Sequence, residues 1–382
     1  MKSAATLSVP FNRPYTTGSE LTYIEEAIEG AHLSGNGPFS ARCSEFLEGL
    51  LGADRVLLTH SGTGALELAS LLAGVVPGDE VVMPSFTFSS TATAFVLRGA
   101  TPVFVDVRED TLNLDESLVE AVITDQTRAL VPVHYGGVAC AMDHLTSIAG
   151  DHGLHVIEDA AHALGATLDG RPLGTYGELA ALSFHETKNV ICGEGGALVV
   201  NDSALSERAE ILHEKGTNRR AFFRGQVDKY TWIDTGSSFP ASELSAAFLW
   251  AQLERFEWLN EQRIAVWERY HEAFEPLELG GVLRRPVVPP GARHNAHLYY
   301  LLLPNEDRRQ QLIDELGRRQ IASVFHYVPL HSSPAGRRFG RSAGELPVTA
   351  DVSSRLVRLP LWVGMTDAQI DHVTDSVQQI LG

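Results

Sequence analysis

Short apolar runs alternate with segments of helical periodicity over about 200 residues, and this alternation constrains the fold more than any other feature of the sequence. RVLLT precedes GALELASLLAG, EVVMPS precedes STATAFVLRG, TPVFVDV precedes ESLVEAVIT, and ALVPVH precedes MDHLTSIAGDHG. Runs such as LHVI and GALVV are apolar at every position, which is typical of parallel strands covered by helices on both faces. The pattern predicts a large α/β domain with a mostly parallel sheet.

The pattern changes after this domain. The stretch ELSAAFLWAQLERFEWLNEQRIAVWERYHEAF keeps helical periodicity longer than any earlier segment, and it predicts one long helix that connects two domains. LYYLLLP and ASVFHYV then predict strands, whereas RRQQLIDELGRRQ and DAQIDHVTDSVQQIL predict helices. We therefore expect a large domain over residues 1–250, with an N-terminal segment, and a connecting helix with a small α+β domain over residues 251–382.

Charge and cysteine content exclude several classes of protein. A formal net charge of −18 argues against nucleic acid or an anionic membrane as partner, because both require a basic surface. Cys43, Cys140 and Cys192 are too widely spaced to suggest a disulfide framework or a metal site. The chain begins without an apolar signal segment, and no apolar stretch approaches the ~18 residues of a membrane span. We expect a cytoplasmic protein that binds no metal.

The stretch LLTHSGTGALELA is a candidate anion site. Small residues, among them Gly62 and Thr63, let the chain turn tightly between a strand and a helix whose N–H groups are exposed. An ordinary capped turn explains the same residues equally well. A nicotinamide-dinucleotide fingerprint fits less well, because Glu67 stands where the third glycine belongs.

Three further strand ends carry polar or aromatic side chains. Asp159 follows the strand in HVIEDAAHALGA and could hold a protonated ring nitrogen, although an isolated aspartate more often caps a helix, and His162 more often has a structural role. Lys188 in SFHETKN could be a reactive amine tuned by His185, or simply a solvated lysine. Phe88 in PSFTFSST could stack on a flat ring or pack in the core.

These features become informative in combination. A phosphate cradle, an acid for a ring nitrogen and an amine for an aldehyde are together the requirements of pyridoxal 5′-phosphate (PLP). The series PSFTFSSTATAFVLRGATPVFVDV, VPVHYGG, VIEDAAHALGA and LSFHETKN followed by GEGGALVVND resembles the DegT family of PLP-dependent sugar aminotransferases, across essentially the whole chain. The resemblance implies the fold of the PLP-dependent transferases of fold type I, which is that of aspartate aminotransferase.

The resemblance also implies roles for individual residues. Lys188 would bind the cofactor covalently, Asp159 would contact its ring nitrogen, Phe88 would stack on the ring, and His162 would lie near the ring oxygen. The phosphate would be held by Gly62, Thr63 and Ser183. Most family members reach that phosphate with an asparagine of the partner subunit, and here Ser238 stands in its place within DTGSSFPASEL. The resemblance therefore implies a homodimer with shared active sites.

The stretches FVLRGATPVFVDVREDTLNLDE, HEKGTNRRAFFRGQVDKYTW and FHYVPLHSSPAG resemble members that aminate dTDP-4-keto-6-deoxy-D-glucose at C4 with L-glutamate as donor. The second stretch concentrates cations and aromatics that could bind a nucleotide diphosphate, although a solvated loop is the alternative. Core packing and sugar contact are equally compatible with the histidines of the third. The candidate substrate-binding residues are His185, Arg219, Arg220, Arg224, Tyr230, His326 and His331.

Three other classes of function are alternatives to this one. A 3-dehydratase of the same fold carries histidine at the lysine position, so Lys188 argues against it. A transcriptional sensor would need a DNA-binding segment, for which the N-terminus is too short and insufficiently basic. An aminotransferase for a 3-keto sugar, for a C4 product of the gluco configuration, or for a cyclitol with glutamine as donor is the alternative.

Overall fold

The computed structural model describes residues 7–342 and 344–382, and its centre is a large sheet. Within these residues, eight strands pair in the order β1, β9, β8, β5, β4, β2, β3, β12. The strands are β1 (Arg55–Thr59), β2 (Glu80–Pro84), β3 (Thr101–Val105), β4 (Thr127–Leu130), β5 (His155–Asp159), β6 (Thr167–Leu168), β7 (Arg171–Pro172), β8 (Leu179–Ser183), β9 (Gly196–Val200), β10 (Ala292–Arg293), β11 (Tyr299–Leu302), β12 (Arg341–Ser342) and β13 (Leu356–Leu359).

Pairing in the large sheet is parallel from β8 to β12, and only β9 runs against its neighbours. The predicted α/β class with a mostly parallel sheet is therefore confirmed. Since β1 and β8 both run opposite to β9, the carboxyl ends of β1, β2, β5 and β8 lie at the same edge of the sheet. Ligands of open α/β sheets bind at this edge.

Helices cover both faces of the sheet and continue into the C-terminal part. They are α1 (Glu20–Glu29), α2 (Pro38–Leu51), α3 (Gly62–Leu72), α4 (Ser89–Val96), α5 (Met142–His152), α6 (Ser203–His213), α7 (Arg219–Phe223), α8 (Glu243–Leu253), α9 (Phe256–Ala273), α10 (Glu275–Leu279), α11 (Glu306–Arg318), α12 (Pro334–Phe339), α13 (Pro347–Arg355) and α14 (Asp367–Leu381). None of the helices in the described ranges has the length and apolarity required to cross a membrane.

The C-terminal part has its own apolar core. The antiparallel pair β11 and β13 packs with α9, α11 and α14, and their buried side chains form one cluster around Tyr299 and Val373. The strand β12 instead joins the large sheet beside β3, so the chain returns to the first part after leaving it. The proposed boundary at residue 250 falls inside α8 and stays a prediction.

Three elements predicted from periodicity were wrong. ESLVEAVIT forms two short 3-10 turns, Glu116–Leu118 and Glu120–Val122, because its N–H groups donate to the carbonyl three residues back, as that of Leu118 does to Asp115 at 3.2 Å, rather than four. The long connecting helix is two helices, α8 and α9, which break at Arg255 where φ and ψ leave the helical region. ASVFHYV is not a strand, since only Val324 pairs there, with Arg358.

Candidate active site

The turn between β1 and α3 forms a cradle in which the neighbouring strands leave no space for a side chain at the glycines. Ser61 caps α3 by accepting a hydrogen bond from the Gly64 N–H at 3.0 Å. A Cβ added at Gly62 would lie 2.9 Å from Cβ of Ser183, and one added at Gly196 would lie 2.5 Å from the Gly62 nitrogen. Glycine is required at these positions because the ends of β8 and β9 lie against the start of the helix.

Hydroxyl groups surround the N-terminal turn of α3. The Thr63 and Ser90 hydroxyls are hydrogen-bonded to each other at 2.7 Å, and Ser183 lies beside Gly62. Helix N–H groups and hydroxyls at a helix N-terminus are suitable donors for a phosphate. The structure thus brings together Gly62, Thr63 and Ser183 as expected, and it adds Ser90, which the sequence did not single out.

Asp159, at the carboxyl end of β5, is a buried carboxylate with few partners. Its Oδ2 accepts a hydrogen bond from the Thr91 hydroxyl at 2.7 Å, and its Oδ1 accepts one from the Ala161 N–H at 3.2 Å. No lysine, arginine or histidine of the described residues lies within 4.0 Å of it as an ion pair. A carboxylate held in this way retains lone pairs and negative charge for a cationic ligand group.

The residue before Asp159 anchors the end of β5. Glu158 accepts hydrogen bonds from the N–H groups of Gly174, Tyr176 and Gly177, at 2.8, 2.6 and 2.8 Å. The His134 ring pairs with the same carboxylate at 2.8 Å, and both side chains are fully buried. Because Glu158 makes these four contacts, the strand end that carries Asp159 is held in place.

Lys188 lies in a tight turn after β8, with its N–H donating to the His185 carbonyl at 2.8 Å. Its surroundings lower the pKa of Lys188 to about 8: burial is the main cause, the charge of Asp159 opposes it, and that of Arg358 adds to it. His185 is engaged elsewhere, with Thr187 at 2.9 Å and Glu194 at 3.6 Å. The expected tuning of Lys188 by His185 is thus replaced by tuning through Asp159 and Arg358.

A polar network lies behind the lysine turn. Asn189 donates to the Asn295 carbonyl at 2.7 Å, and its Oδ1 accepts from Nδ1 of His297 at 3.0 Å. The His297 ring stacks on His162, with centroids 4.0 Å apart. Burial, together with the charge of Lys188, lowers the pKa of His162 well below its usual value. The rings of His162 and His297 are therefore both neutral, and stacking on His297 fixes the position of His162.

Aromatic side chains form the opposite wall. Phe88 precedes α4 and is 60% exposed, with its ring 6.4 Å from that of Tyr327. The Tyr135 hydroxyl is hydrogen-bonded to Nδ1 of His326 at 2.9 Å, and the centres of the Tyr135 and His162 rings are 6.2 Å apart. An exposed aromatic at a strand end is free to stack on a flat ligand. Of the two candidate histidines of the FHYVPLH stretch, His326 belongs to this wall, whereas His331 bonds Ser85 at 2.7 Å.

The basic segment forms a second, separate cluster. Arg220 and Arg224 pair with Glu210 at 3.4 and 2.7 Å, while the Arg219 guanidinium lies 5.2 Å from the Phe223 ring centre. These arginines and Ser238 border a cavity of about 610 Å³, whose lining includes neither Lys188 nor Asp159. Tyr230 packs on Phe222, at 5.8 Å between ring centres. One chain therefore does not bring the basic segment to the lysine.

Several residues at the site gave no recognisable signal in the sequence. Thr91, Asn189 and His297 act through contacts between residues that are more than 65 positions apart. Arg358 lies in LVRLPLW, which reads as an ordinary strand. Only Thr91 could have been suspected, because it follows Phe88 in the same turn.

The donors present fit PLP. The cradle at Gly62 offers backbone N–H groups and hydroxyls for the phosphate, Asp159 offers a buried carboxylate without a cationic partner, and Lys188 offers an amine with a lowered pKa. These three groups follow strands that end at one edge of the sheet, as the sequence predicted. Their separation along the chain and convergence in space match the phosphate, ring nitrogen and aldehyde of one cofactor.

Known proteins resemble this chain over nearly its whole length. The chain is 34% identical to the spore coat polysaccharide biosynthesis protein SpsC of Bacillus subtilis over 381 residues, 98% of this chain and 97% of that one. It is 33% identical to DesV of S. venezuelae, solved with a ketimine intermediate, with a TM-score of 0.89 and 98% of each chain covered. Spr1654 of Streptococcus pneumoniae, solved in a PLP form, is 25% identical, with a TM-score of 0.89 and coverage of 98% of this chain and 100% of that one.

The sequence profile of a single protein family matches residues 14–378, which is nearly the whole chain. Structural neighbours are PLP-dependent aminotransferases, so the fold expected from the resemblance is confirmed. The cofactor expectation is confirmed as well, since neighbours include PLP and PMP forms. The chain belongs to the DegT/DnrJ/EryC1/StrS aminotransferase family, whose members depend on PLP.

Proposed function

We propose that this protein transfers the amino group of L-glutamate to C4 of dTDP-4-keto-6-deoxy-D-glucose, giving dTDP-4-amino-4,6-dideoxy-D-galactose and 2-oxoglutarate. The observation that carries amino transfer is Lys188, a lysine whose pKa is lowered to about 8 beside the unpaired carboxylate of Asp159. The choice of sugar is supported by the resemblance of HEKGTNRRAFFRGQVDKYTW, with its cations and aromatics, to members that use this substrate.

Lys188 supplies the base. With a pKa of about 8, about a tenth of its amines are neutral at pH 7, against fewer than about one in a thousand for an ordinary lysine. Its Nζ takes the proton from Cα of the amino donor and, in the second half-reaction, gives a proton to C4 of the sugar. The face of C4 that receives the proton decides between a galacto and a gluco product.

The other residues of the site would hold and orient the cofactor. PLP, when bound, supplies an electron-withdrawing pyridinium ring for the carbon that loses its proton. Asp159 would hold a protonated ring nitrogen, the cradle around Gly62 and Thr63 with Ser183 would hold the phosphate, and Phe88 would cover the ring. His162, neutral and supported by His297, would donate a hydrogen bond on the oxygen side of the ring.

We further propose a cytoplasmic homodimer in which each chain completes the site of its partner. The basic segment and Ser238 border their own cavity in one chain, and the aromatics of that segment are largely exposed: Phe223 is 69%, Tyr230 55% and Trp232 76% exposed. Exposed aromatics beside arginines are typical of the centre of an interface. A second copy placed against this surface would bring Arg219 and Ser238 to the neighbouring Lys188.

The substrate proposal is tested by offering the purified enzyme L-glutamate with candidate acceptors and determining the configuration of the product by NMR. The expected acceptor is dTDP-4-keto-6-deoxy-D-glucose, and the expected product carries an axial C4 amine. A preference for a 3-keto nucleotide sugar, an equatorial C4 amine, or activity only with glutamine and a keto-cyclitol would instead support the corresponding alternative.

The shared site is tested by complementation. Lys188→Ala and Arg219→Ala chains are each expected to have little activity on the keto-sugar alone. After random reassortment, half of the dimers are mixed, and one of their two sites is intact, so activity should recover to about a quarter of the native value. Absence of recovery, with mixed dimers verified by mass, would place the basic segment in the same chain's site or in a solvated loop.

A further inference from the structure

The first turn of α4 directs three side chains to three different parts of the candidate active site. Phe88 precedes the helix and is exposed on the aromatic wall. The Ser90 hydroxyl is hydrogen-bonded to that of Thr63 in the cradle at 2.7 Å. The Thr91 hydroxyl donates to Oδ2 of Asp159 at 2.7 Å. One short stretch of backbone therefore fixes the exposed aromatic, the cradle and the buried carboxylate relative to one another.

The Thr91 side chain contacts Asp159 instead of its own helix. Its backbone N–H donates to the Phe88 carbonyl at 3.2 Å, and the helix begins without a side-chain cap. Threonine hydroxyls near a helix start ordinarily bond to backbone groups close by in the sequence. Here the hydroxyl bonds to a carboxylate 68 positions away, and both side chains are buried. The contact therefore serves Asp159 rather than the helix.

A second buried threonine supports this contact. The Thr87 hydroxyl lies 2.8 Å from that of Thr91. A hydroxyl has one proton, and Thr91 donates its proton to the carboxylate, so Thr87 must be the donor in the bond between the two threonines. The hydrogen bonds therefore run in one direction, from Thr87 through Thr91 to Asp159. Bonds linked in this way polarise each other, which strengthens the bond to the carboxylate.

The two oxygens of Asp159 are held unequally. Thr91 donates to Oδ2 at 2.7 Å, whereas the Ala161 N–H donates to Oδ1 at 3.2 Å. The shorter bond is the stronger one, and it restricts rotation of the carboxylate about its last torsion, which is otherwise broad. Without the Thr91 hydroxyl, the longer bond from Ala161 would be left to orient the group.

We propose that Thr91 is a positioning residue that orients the Asp159 carboxylate toward the ring nitrogen of PLP, with Thr87 as its support. This inference rests on the proposed contact between Asp159 and that nitrogen. A charge-assisted hydrogen bond is directional, so a carboxylate that turns away loses part of the bond although it keeps its charge. Removal of the Thr91 hydroxyl should therefore weaken binding of a cofactor that has the ring nitrogen and spare one that lacks it.

The test measures the affinity of the cofactor-free protein for PLP and for 1-deaza-PLP, which has carbon in place of the ring nitrogen and keeps the aldehyde and the phosphate. The ratio of the two affinities reports on the ring-nitrogen contact, as in a double-mutant cycle. Thr91→Val should lower this ratio by about 3- to 10-fold, through weaker binding of PLP and unchanged binding of 1-deaza-PLP. Thr91→Ser, which keeps the hydroxyl, should retain most of the native ratio.

Thr349→Val is a matched control. Thr349 is also buried, and its hydroxyl donates to another buried carboxylate, that of Asp106, at 2.6 Å. Thr91→Val and Thr349→Val each deprive a buried aspartate of a donor, so both variants should melt at a lower temperature than the native protein. Only Thr91→Val should change the affinity ratio, which separates positioning of the carboxylate from a loss of stability.

Two results with Thr91→Val would overturn the proposal: an unchanged ratio, or an equal loss of affinity for both cofactors. If this variant does not fold, Thr91→Cys replaces the hydroxyl by a weaker donor and should lower the ratio in the same direction, and an unchanged ratio there would overturn the proposal equally. A native protein that binds both cofactors with equal affinity would overturn the role of Asp159 together with that of Thr91. No sugar enters the measurement, so its result does not depend on the proposed substrate.

Discussion

Replacing Lys188 by methionine should stabilise the cofactor-free protein, although it removes the amine on which catalysis depends. Burial lowers the pKa of Lys188 from the usual 10.5 to about 8; the charge of Asp159 opposes this change and that of Arg358 adds to it. A lysine whose pKa is lower in the folded state binds its proton less tightly there, so its charged form opposes folding. Methionine has a similar length and no charge, and it escapes this penalty.

The free-energy cost of the charged Lys188 amine in the folded state predicts a change in melting temperature. The gap between 10.5 and about 8 corresponds to about 3 kcal/mol. With about 2.1 cal/mol/K of unfolding entropy for each of the 382 residues, Lys188→Met should melt about 4 °C above the native protein at pH 7. The penalty is fully present below pH 8, declines as pH rises toward 10.5, and is absent above it, where the lysine is neutral in both states.

Thermal unfolding of the cofactor-free proteins at pH 7, 9 and 10.5, followed by tryptophan fluorescence, measures this effect. Arg318→Met is the control, because Arg318 lies outside the basic segment with its side chain 67% exposed, and its replacement should change stability by less than about 0.5 kcal/mol. Two results would refute the reasoning: Lys188→Met melting at or below the native temperature at pH 7, or a stabilisation that stays the same at every pH.

Two further predictions concern the groups that hold the cofactor. Asp159→Asn should retain PLP, as measured by absorbance, but slow both half-reactions by about two to three orders of magnitude, because the negative charge opposite the ring nitrogen is lost. Near-normal turnover with a lowered melting temperature would instead show that Asp159 has a structural role. Gly62→Ala should weaken PLP binding in an absorbance titration, because its Cβ would lie 2.9 Å from Cβ of Ser183. Gly49→Ala, which has open space around its Cβ, should bind PLP normally, and equal affinities of the two variants would contradict the assignment of the phosphate cradle to Gly62.

The parts of the site that the sequence predicted are those formed by local structure. Gly62 and Lys188 each follow a strand by a few residues and Asp159 ends one, and parallel strands bring such positions to one edge. The terminal helix was likewise predicted over its observed residues, Asp367–Leu381, from its helical periodicity, and in the structure a capping box at Thr366 begins it. Local signals of this kind do not depend on distant parts of the chain.

What the sequence missed depends on pairing between distant segments. Arg220 and Arg224 read as free cations, but helix α6 brings Glu210 back beside them. ASVFHYV has the alternation of a strand, yet Phe325 is 55% and Val328 60% exposed, while His326 and Tyr327 turn toward the site. Neither the partner of a cation nor the face that a strand-like segment buries is specified by its own residues.

The charge of the site, set against the charge of the chain, indicates how ligands are recognised. The chain carries a net charge of −18, whereas Lys188 and Arg358 outnumber Asp159 at the site. Burial lowers the pKa of His162, His297 and His326 well below the usual value, so these rings add no charge at neutral pH. The excess of positive charge is therefore local and must be balanced by anionic ligand groups. Because the net charge of −18 repels such groups at long range, binding depends on short-range contacts with these few residues rather than on long-range attraction.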